Sequence, residues 1–335
     1  MRREAMLYER LDGKLVRCGL CAHRCTVKAD RKGICGVREN VDGVMYTTVY
    51  GEVVAAHVDP IEKKPLYNFL PGTRSFSIAT VGCNFHCRFC QNADISQAPR
   101  EGLRLAEEKL SPAQVVAAAK TYGCDSIAYT YTEPTIFFEY AYDTSKLAQE
   151  EGIKNIFVTN GYMTLEALDK IDPYLDAANV DLKSFDDGFY RRVCGARLQP
   201  VLDTIQAMRE RGVWVEVTTL LIPGLNDSEA ELRQIAGFIA ELDRDMPWHV
   251  SRFTPRHRLL DVPGTPLDSM RMAAEIGRET GLRYVYVGNV PGDMYENTLC
   301  PSCGAVVIGR IGYRTTVDLE GDRCASCGQQ VAVIR

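Results

Sequence analysis

The stretch Val81-Gly82-Cys83-Asn84-Phe85-His86-Cys87-Arg88-Phe89-Cys90 places three cysteines in one short loop. It follows an alternating run, Phe76, Ile78 and Thr80, that reads as a strand. A loop of that length can fold three thiolates around one inorganic cube. Iron–sulfur clusters are held by cysteine thiolates, and a [4Fe–4S] cube normally takes four of them. With Cys83, Cys87 and Cys90 alone, one iron keeps an open position. An open position marks catalytic rather than structural sites in the parallel case of zinc. The spacing is also too compact for an ordinary structural zinc site, which uses two separated pairs.

Outward from that loop, residues 74 to about 290 repeat strand then helix. Strand-like runs cover 76–80, 126–131, 153–160, 177–182, 214–222 and 249–254, with 284–287 as a further candidate. One helix starts at Ser111-Pro112, with serine as N-cap and proline in the first turn. Its core face is Val115, Val116 and Ala119. Residues 164–167, 198–211, 228–242 and 268–280 behave alike. Such alternation predicts a parallel sheet with right-handed crossovers. Ligands then gather at the carboxyl ends of the strands. Periodicity alone allows a full barrel, a partial barrel or an open sheet.

The thirteen cysteines fall into groups of four, three and four, plus Cys124 and Cys194, which read as buried small hydrophobes. The chain has no run of about 18 apolar residues, and its first residues, MRREAMLYERLDGK, contain no apolar segment of a secretory signal. A cytoplasmic location is therefore expected, where clustered cysteines point to metals rather than disulfides. Cys18, Cys21, Cys25 and Cys35 make one complete ligand set, with His23 as a substitute ligand. Zinc and an iron–sulfur cluster both fit it, because ligand type alone does not separate them. Cys300-Pro301-Ser302-Cys303-Gly304 and Cys324-Ala325-Ser326-Cys327-Gly328 form two knuckles of a zinc ribbon or rubredoxin-like site. Between these sets, residues 44–50 and 53–57 alternate weakly and suggest a hairpin turning near Gly51. Asp59-Pro60-Ile61-Glu62-Lys63-Lys64 reads either as a surface loop or as charges reaching the site. Net charge is −5 and 25% of residues are charged, a balance that argues against a mainly electrostatic nucleic-acid binder.

The motif Cys83-x3-Cys87-x2-Cys90, with Phe89 before the last cysteine, resembles the signature of the radical S-adenosylmethionine (SAM) superfamily. The resemblance implies a partial (β/α)6 barrel and a cluster whose open iron is chelated by SAM. It further implies electron transfer that splits the sulfonium C–S bond and gives a 5′-deoxyadenosyl radical. Tyr131-Thr132-Glu133-Pro134 stands where the superfamily carries Gly-Gly-Glu-Pro, which holds the SAM amino group. Both glycines are replaced, leaving Thr132 and Glu133 as the candidates. Thr159-Asn160-Gly161 and Asp181-Leu182-Lys183 are similar to segments of glycyl-radical-enzyme activases that bind the SAM carboxylate and ribose and help form a monovalent-cation site. Val158 and Asn179 stand where that cation site has aspartate and methionine, which leaves the cation unassigned. Ile222 corresponds to a residue packed beside adenine, and His249 to a histidine that touches SAM.

Along its length the chain resembles the radical SAM member of the AmmeMemoRadiSam system, through residues 18–40, 59–69, 82–97, 248–255, 284–291 and the C-terminal knuckles. This implies an α/β fold with a four-cysteine metal-binding segment and hairpin over 1–70, the barrel over 71–295 and a four-cysteine zinc ribbon over 296–335. The expected activity is hydrogen abstraction from a protein, peptide or small molecule. The electron donor would be a flavodoxin, a ferredoxin or a second cluster at the N-terminal cysteines, and Memo-like and AMMECR-like proteins would be the associates. The rival readings are an iron–sulfur electron carrier or scaffold, and an RNA-modifying radical SAM enzyme.

Overall fold

The computed structural model describes residues 2–290 and 292–335, so Pro291, the end of one resembling stretch, lies outside the described residues. Eight strands form the central sheet: β1 Ala55–Pro60, β2 Arg74–Ala79, β3 Ser126–Tyr129, β4 Lys154–Thr159, β5 Ala177–Asp181, β6 Trp214–Leu221, β7 Trp248–Arg252 and β8 Val285–Gly288. They lie side by side in chain order, so every crossover moves one place along the sheet. Strands β2 to β8 are parallel, and β1 pairs antiparallel with β2. No pairing joins β1 to β8 among the described residues, so the barrel is open on that side. The expected six-stranded barrel is thus corrected to seven parallel strands, with the candidate at 284–287 as the seventh, plus an antiparallel edge. A two-residue periodicity places His57, Ser77, Ala128, Ile156 and Ala177 in one lateral row facing inward.

Helices cover the outer face: α1 Pro112–Thr121, α2 Phe138–Glu150, α3 Leu165–Ile171, α4 Gln199–Glu210, α5 Glu229–Leu242 and α6 Leu267–Glu279. Ser111 and Gln114 cap α1 reciprocally, and Thr164 and Ser228 accept from backbone amides at the starts of α3 and α5. Helix α2 is absent from the sequence reading. It is entered through a 3₁₀ turn, Pro134–Phe137, whose residues are all buried.

The hairpin expected to turn near Gly51 is also corrected. Residues Val44–Thr47 pair with Arg38–Val41 across a turn at Asp42-Gly43, while the second arm joins the barrel as β1. The N-terminal segment sits at the carboxyl ends of the strands. Cys21 bridges to Met163, the Ala22 amide donates to the Tyr162 carbonyl, and that of Thr164 to Leu20. Its buried Val16, Leu20, Val37 and Met45 are continuous with the barrel core.

The C-terminal segment packs at the opposite end. Val307, Ile308, Val331 and Val333 cluster with Tyr284 and Tyr286 at β8. Residues 61–70 lie between it and the barrel interior. Ile61, Leu66 and Phe69 pack against Ala128, Ile156 and Ala177. The Leu70 amide donates to the Ile334 carbonyl, and the Ile334 amide to that of Asn68. The charged run at 59–64 is therefore a plug and not a surface loop: Glu62 and Lys64 are buried and only Lys63 is exposed.

Candidate active site

The cysteine loop leaves β2 at the carboxyl end of the sheet and is held by its neighbours. Gly82 has φ +100°, and a Cβ there would lie 2.7 Å from Val37 Cγ1 and 3.0 Å from the Cys35 carbonyl oxygen. Arg100 threads beneath the loop. Its guanidinium donates to the carbonyls of Cys83 (3.0 Å), Phe85 (2.7 Å) and Ile34 (2.8 Å). His86 and Arg88 amides donate to the Cys194 and Val193 carbonyls. Around the sulfurs, the Phe85 amide donates to Cys83 Sγ at 3.3 Å and Asn160 Nδ2 approaches it at 3.8 Å. Cys90 Sγ lies 3.3 Å from Ser96 Oγ, and Cys194 lies within hydrogen-bonding reach of Cys87. Burial pushes the Cys83 thiol well above its ordinary range.

The strand ends converge on this loop. Thr159 Oγ1 and the Asn160 amide donate to Glu133 at 2.8 Å each, and Asn160 Nδ2 donates to Asn84 Oδ1 at 2.8 Å. Glu133 also accepts from the Thr135 amide and hydroxyl at 3.0 and 2.6 Å, so both carboxylate oxygens are occupied by the protein. Thr132 Oγ1 donates to the Thr80 carbonyl at 2.9 Å. Tyr131 has φ 60°, a left-handed conformation that glycine favours and that costs another residue roughly 1–2 kcal/mol. Lys183 Nζ is 2.8 Å from Asp181 Oδ2 and 5.8 Å from the Phe89 ring centroid. Although burial opposes it, Asp181 and the nearby thiols hold Lys183 well above the usual lysine range. Cys83, Cys87, Cys90, Phe89, Thr132, Glu133, Thr159, Asn160, Asp181 and Lys183 therefore share one end of the barrel.

The family described as "Radical SAM superfamily" matches residues 77–236, the span from β2 through most of α5. A relative of 45% identity, an uncharacterized protein MJ0808 of Methanocaldococcus jannaschii, aligns over 99% of both chains. The chain belongs to the radical SAM superfamily. A putative glycyl-radical enzyme activating enzyme of the same organism is 27% identical over 60% of this chain and 75% of its own length. The pyruvate formate-lyase-activating enzyme of Clostridium pasteurianum is 26% identical over 51% of this chain and 71% of its own. In three dimensions, a radical SAM methyltransferase from Sphaerobacter thermophilus superposes with a TM-score of 0.51 at 18% identity, covering 65% of this chain and 67% of that one. This likeness concerns the fold.

Radical SAM membership makes the chain an enzyme and implies a [4Fe–4S] cluster and SAM. Three observations fit the cysteine loop to the cluster. The three sulfurs do not all lie within 4.8 Å of one another, whereas thiolates on a single tetrahedral ion sit about 3.8 Å apart given a metal–sulfur bond of about 2.3 Å. Backbone and side-chain N–H groups point at Cys83 Sγ, and such donors tune cluster potentials. Among the described residues nothing accepts from Asn84 Nδ2, although Asn84 is fully buried next to Cys83.

Two predicted contacts are enclosed by protein. His249 is deep in the barrel, with Nε2 2.6 Å from Glu216 Oε2 and its ring packed on Tyr67 and Tyr286. Ile222 is fully buried in the core, and its amide donates to Asn226 Oδ1 at 2.6 Å. Several organising residues escaped the sequence reading. Glu216 accepts from the Tyr67 and Asn68 amides and Trp214 Nε1 as well as facing His249. A glutamate within a mostly apolar strand was its signal. Asp59 is another. Burial would raise its carboxyl, but Lys63, Lys64 and Tyr131 donate to it and hold it well below the usual carboxylate range. Burial in turn lowers Lys64 to about 8, against the pull of Asp59. Arg38 and Glu139 form a buried pair at 3.0 Å under the N-terminal segment.

The C-terminal cysteines form a different site. All four sulfurs lie within 4.8 Å of one another, with Cys300 and Cys327 3.6 Å apart and Cys303 and Cys324 3.8 Å apart. The amides of Gly304 and Gly328 close each knuckle onto the Cys300 and Cys324 carbonyls. No helix among the described residues is long and apolar enough to cross a membrane.

Proposed function

We propose that this radical SAM enzyme reductively cleaves SAM at the Cys83/Cys87/Cys90 cluster and abstracts hydrogen from a protein, peptide or small molecule. One observation carries the reading: a loop offering three thiolates opens at the carboxyl ends of parallel strands, facing the Asp181–Lys183 pair. Bound there, the cluster supplies the electron and the open iron. Lys183 offers a fixed positive charge to a SAM carboxylate, a charge-assisted contact. Asp181 suits ribose hydroxyls, and Phe89 gives an apolar wall. Thr132, Thr159 and Asn160 complete the SAM side, with Glu133 positioning the last two. Ile222 and His249 reach SAM on this reading only if the strands that carry them shift, because both are enclosed.

The wider proposal assigns the chain to the AmmeMemoRadiSam system, in the cytoplasm, with a flavodoxin or ferredoxin as reductant and Memo-like and AMMECR-like proteins as associates. It divides the chain into a metal-binding segment over 1–70, the barrel over 71–295 and a zinc ribbon over 296–335. Zinc suits Cys300, Cys303, Cys324 and Cys327 because their four sulfurs cluster within 4.8 Å, two pairs of them close to the spacing of about 3.8 Å expected around one tetrahedral ion. Cys18, Cys21, Cys25 and Cys35 hold a further metal centre. The test is anaerobic reconstitution with iron and sulfide, followed by dithionite and SAM. 5′-Deoxyadenosine should form and should disappear in Cys87→Ala. An intact, reducible cluster that leaves SAM whole would instead favour the electron-carrier reading.

A further inference from the structure

The chain carries two cysteine quartets, and their geometry differs. In the C-terminal quartet every sulfur is within 4.8 Å of every other. Among the described residues that is the one such group, so no three of the Cys18, Cys21, Cys25 and Cys35 sulfurs lie that close together. The N-terminal four nonetheless line a single recess. Four thiolates on one ion must crowd to about 3.8 Å. Four thiolates on four different irons, at the corners of a cube, must stand well apart. The barrel trio likewise forms no such tight group.

The lining agrees with a cube. Leu20, Ile34, Met45 and Ile136 give the recess apolar walls. Backbone groups of His23, Ile34, Val37 and Arg38 lie close enough to the Cys21, Cys25 and Cys35 sulfurs to favour their thiolates. Arg38 also lines the recess and is 2% exposed. Its Nη atoms serve Glu139 and the Met6 carbonyl, but no acceptor among the described residues reaches its Nε. An unpartnered, buried cationic N–H on a residue that lines a four-cysteine recess calls for an anion there.

We infer that Cys18, Cys21, Cys25 and Cys35 bind a second, fully ligated [4Fe–4S] cluster, with the Arg38 guanidinium as its buried counter-charge. The inference narrows the metal-centre reading above and does not depend on SAM cleavage. Its position gives it a use. The Cys35 carbonyl is 3.0 Å from where a Gly82 Cβ would stand, His23 Nε2 donates to the Asn84 carbonyl at 2.9 Å, and Arg100 joins the Ile34 and Cys83 carbonyls. Ile34, on the outer rim, is 44% exposed. A one-electron protein carrier docking at that rim would pass a single electron inward, with no bond made or broken, and the barrel site would receive it.

The experiment uses the full chain with Cys83, Cys87 and Cys90 all changed to Ala, reconstituted anaerobically with ferrous iron and sulfide, then desalted. We expect about four iron and four acid-labile sulfide per chain, and on dithionite reduction an electron paramagnetic resonance signal that SAM does not alter. Zinc at two equivalents with no sulfide would overturn the inference. Should that variant precipitate, the wild-type count decides: about eight iron and eight sulfide support it, and about four with two zinc refute it. Cys18→Ser/Cys21→Ser should keep about four iron and a SAM-responsive signal. Loss of that response in the wild type, with the barrel-cysteine variant still holding its cluster, would fault the SAM reading and leave this one standing.

Discussion

Changing Glu133 to Gln tests whether this carboxylate is the latch that positions the cysteine loop. Glu133 is 1% exposed and accepts four hydrogen bonds, three at Oε1 and the Asn160 amide at Oε2. Glutamine keeps one acceptor oxygen. Placed at Oε1 it retains three bonds, but its NH₂ then faces the Asn160 N–H. A hydrogen bond to a charged group contributes about 1.5–3 kcal/mol, and each orphaned buried donor costs about 1–3 kcal/mol. Working against that loss, burial pushes the Glu133 carboxyl above its ordinary range, so a neutral side chain escapes part of the desolvation cost. The expected net loss is about 2–3 kcal/mol, while Glu133→Ala, which strands all four donors, should lose about 4 kcal/mol or more. Urea unfolding followed by circular dichroism measures both. Asn160 also donates to Asn84 and approaches Cys83 Sγ, so the glutamine variant should release iron to a chelator several-fold faster. A loss below about 0.5 kcal/mol, or lost stability with an unchanged release rate, would refute the latch.

Three further outcomes are expected. Cys303→Ser/Cys327→Ser should lose its metal and melt lower, because a structural metal adds its binding energy to folding, while barrel iron stays; parallel loss of iron would contradict the separation of the two ends. Lys64 titrates near 8 when folded against 10.5 when unfolded, so the unfolded chain binds more protons across that window and stability rises with pH there. Lys64→Met should abolish that slope in alkaline unfolding curves, and an unchanged slope would count against it. Asp59 gives a slope of the same sign at the acid end: with its carboxyl held low, its contribution is complete above about pH 4 and is lost as pH falls. Asp59→Asn should therefore flatten the acid limb, and an identical limb would show that the Lys63, Lys64 and Tyr131 contacts do not stabilise the fold.

What could be read from the sequence was what is written locally. The strand at Phe76–Ile78 alternates, and the three cysteines follow within one loop, so the site's centre was visible without coordinates. The caps at Ser111 and Ser228 likewise announce their helices. Helix α2 was not visible, because its buried face is built from Phe138, Tyr140 and Ala141 with Glu139, Thr144 and Ser145 buried beside them, which blurs the apolar period. The pairing of Arg38–Val41 with Val44–Thr47, and of β1 with β2, depends on partners that alternation does not name. The plug at 61–70 reads as charged because its Lys64 and Glu62 find Asp59 and Arg310 only after folding. His249 had the right strand and the right face, but its depth is set by Glu216, a residue 33 positions away.

The most direct check is the electron paramagnetic resonance spectrum of the reduced protein before and after adding SAM labelled with nitrogen-15 at its amino group. If the Cys83/Cys87/Cys90 cluster keeps one iron for SAM, the signal will shift and electron–nuclear double resonance will show coupling to the labelled nitrogen, both absent in Cys87→Ala. A reduced barrel cluster whose spectrum ignores SAM, with no such coupling, would contradict the account.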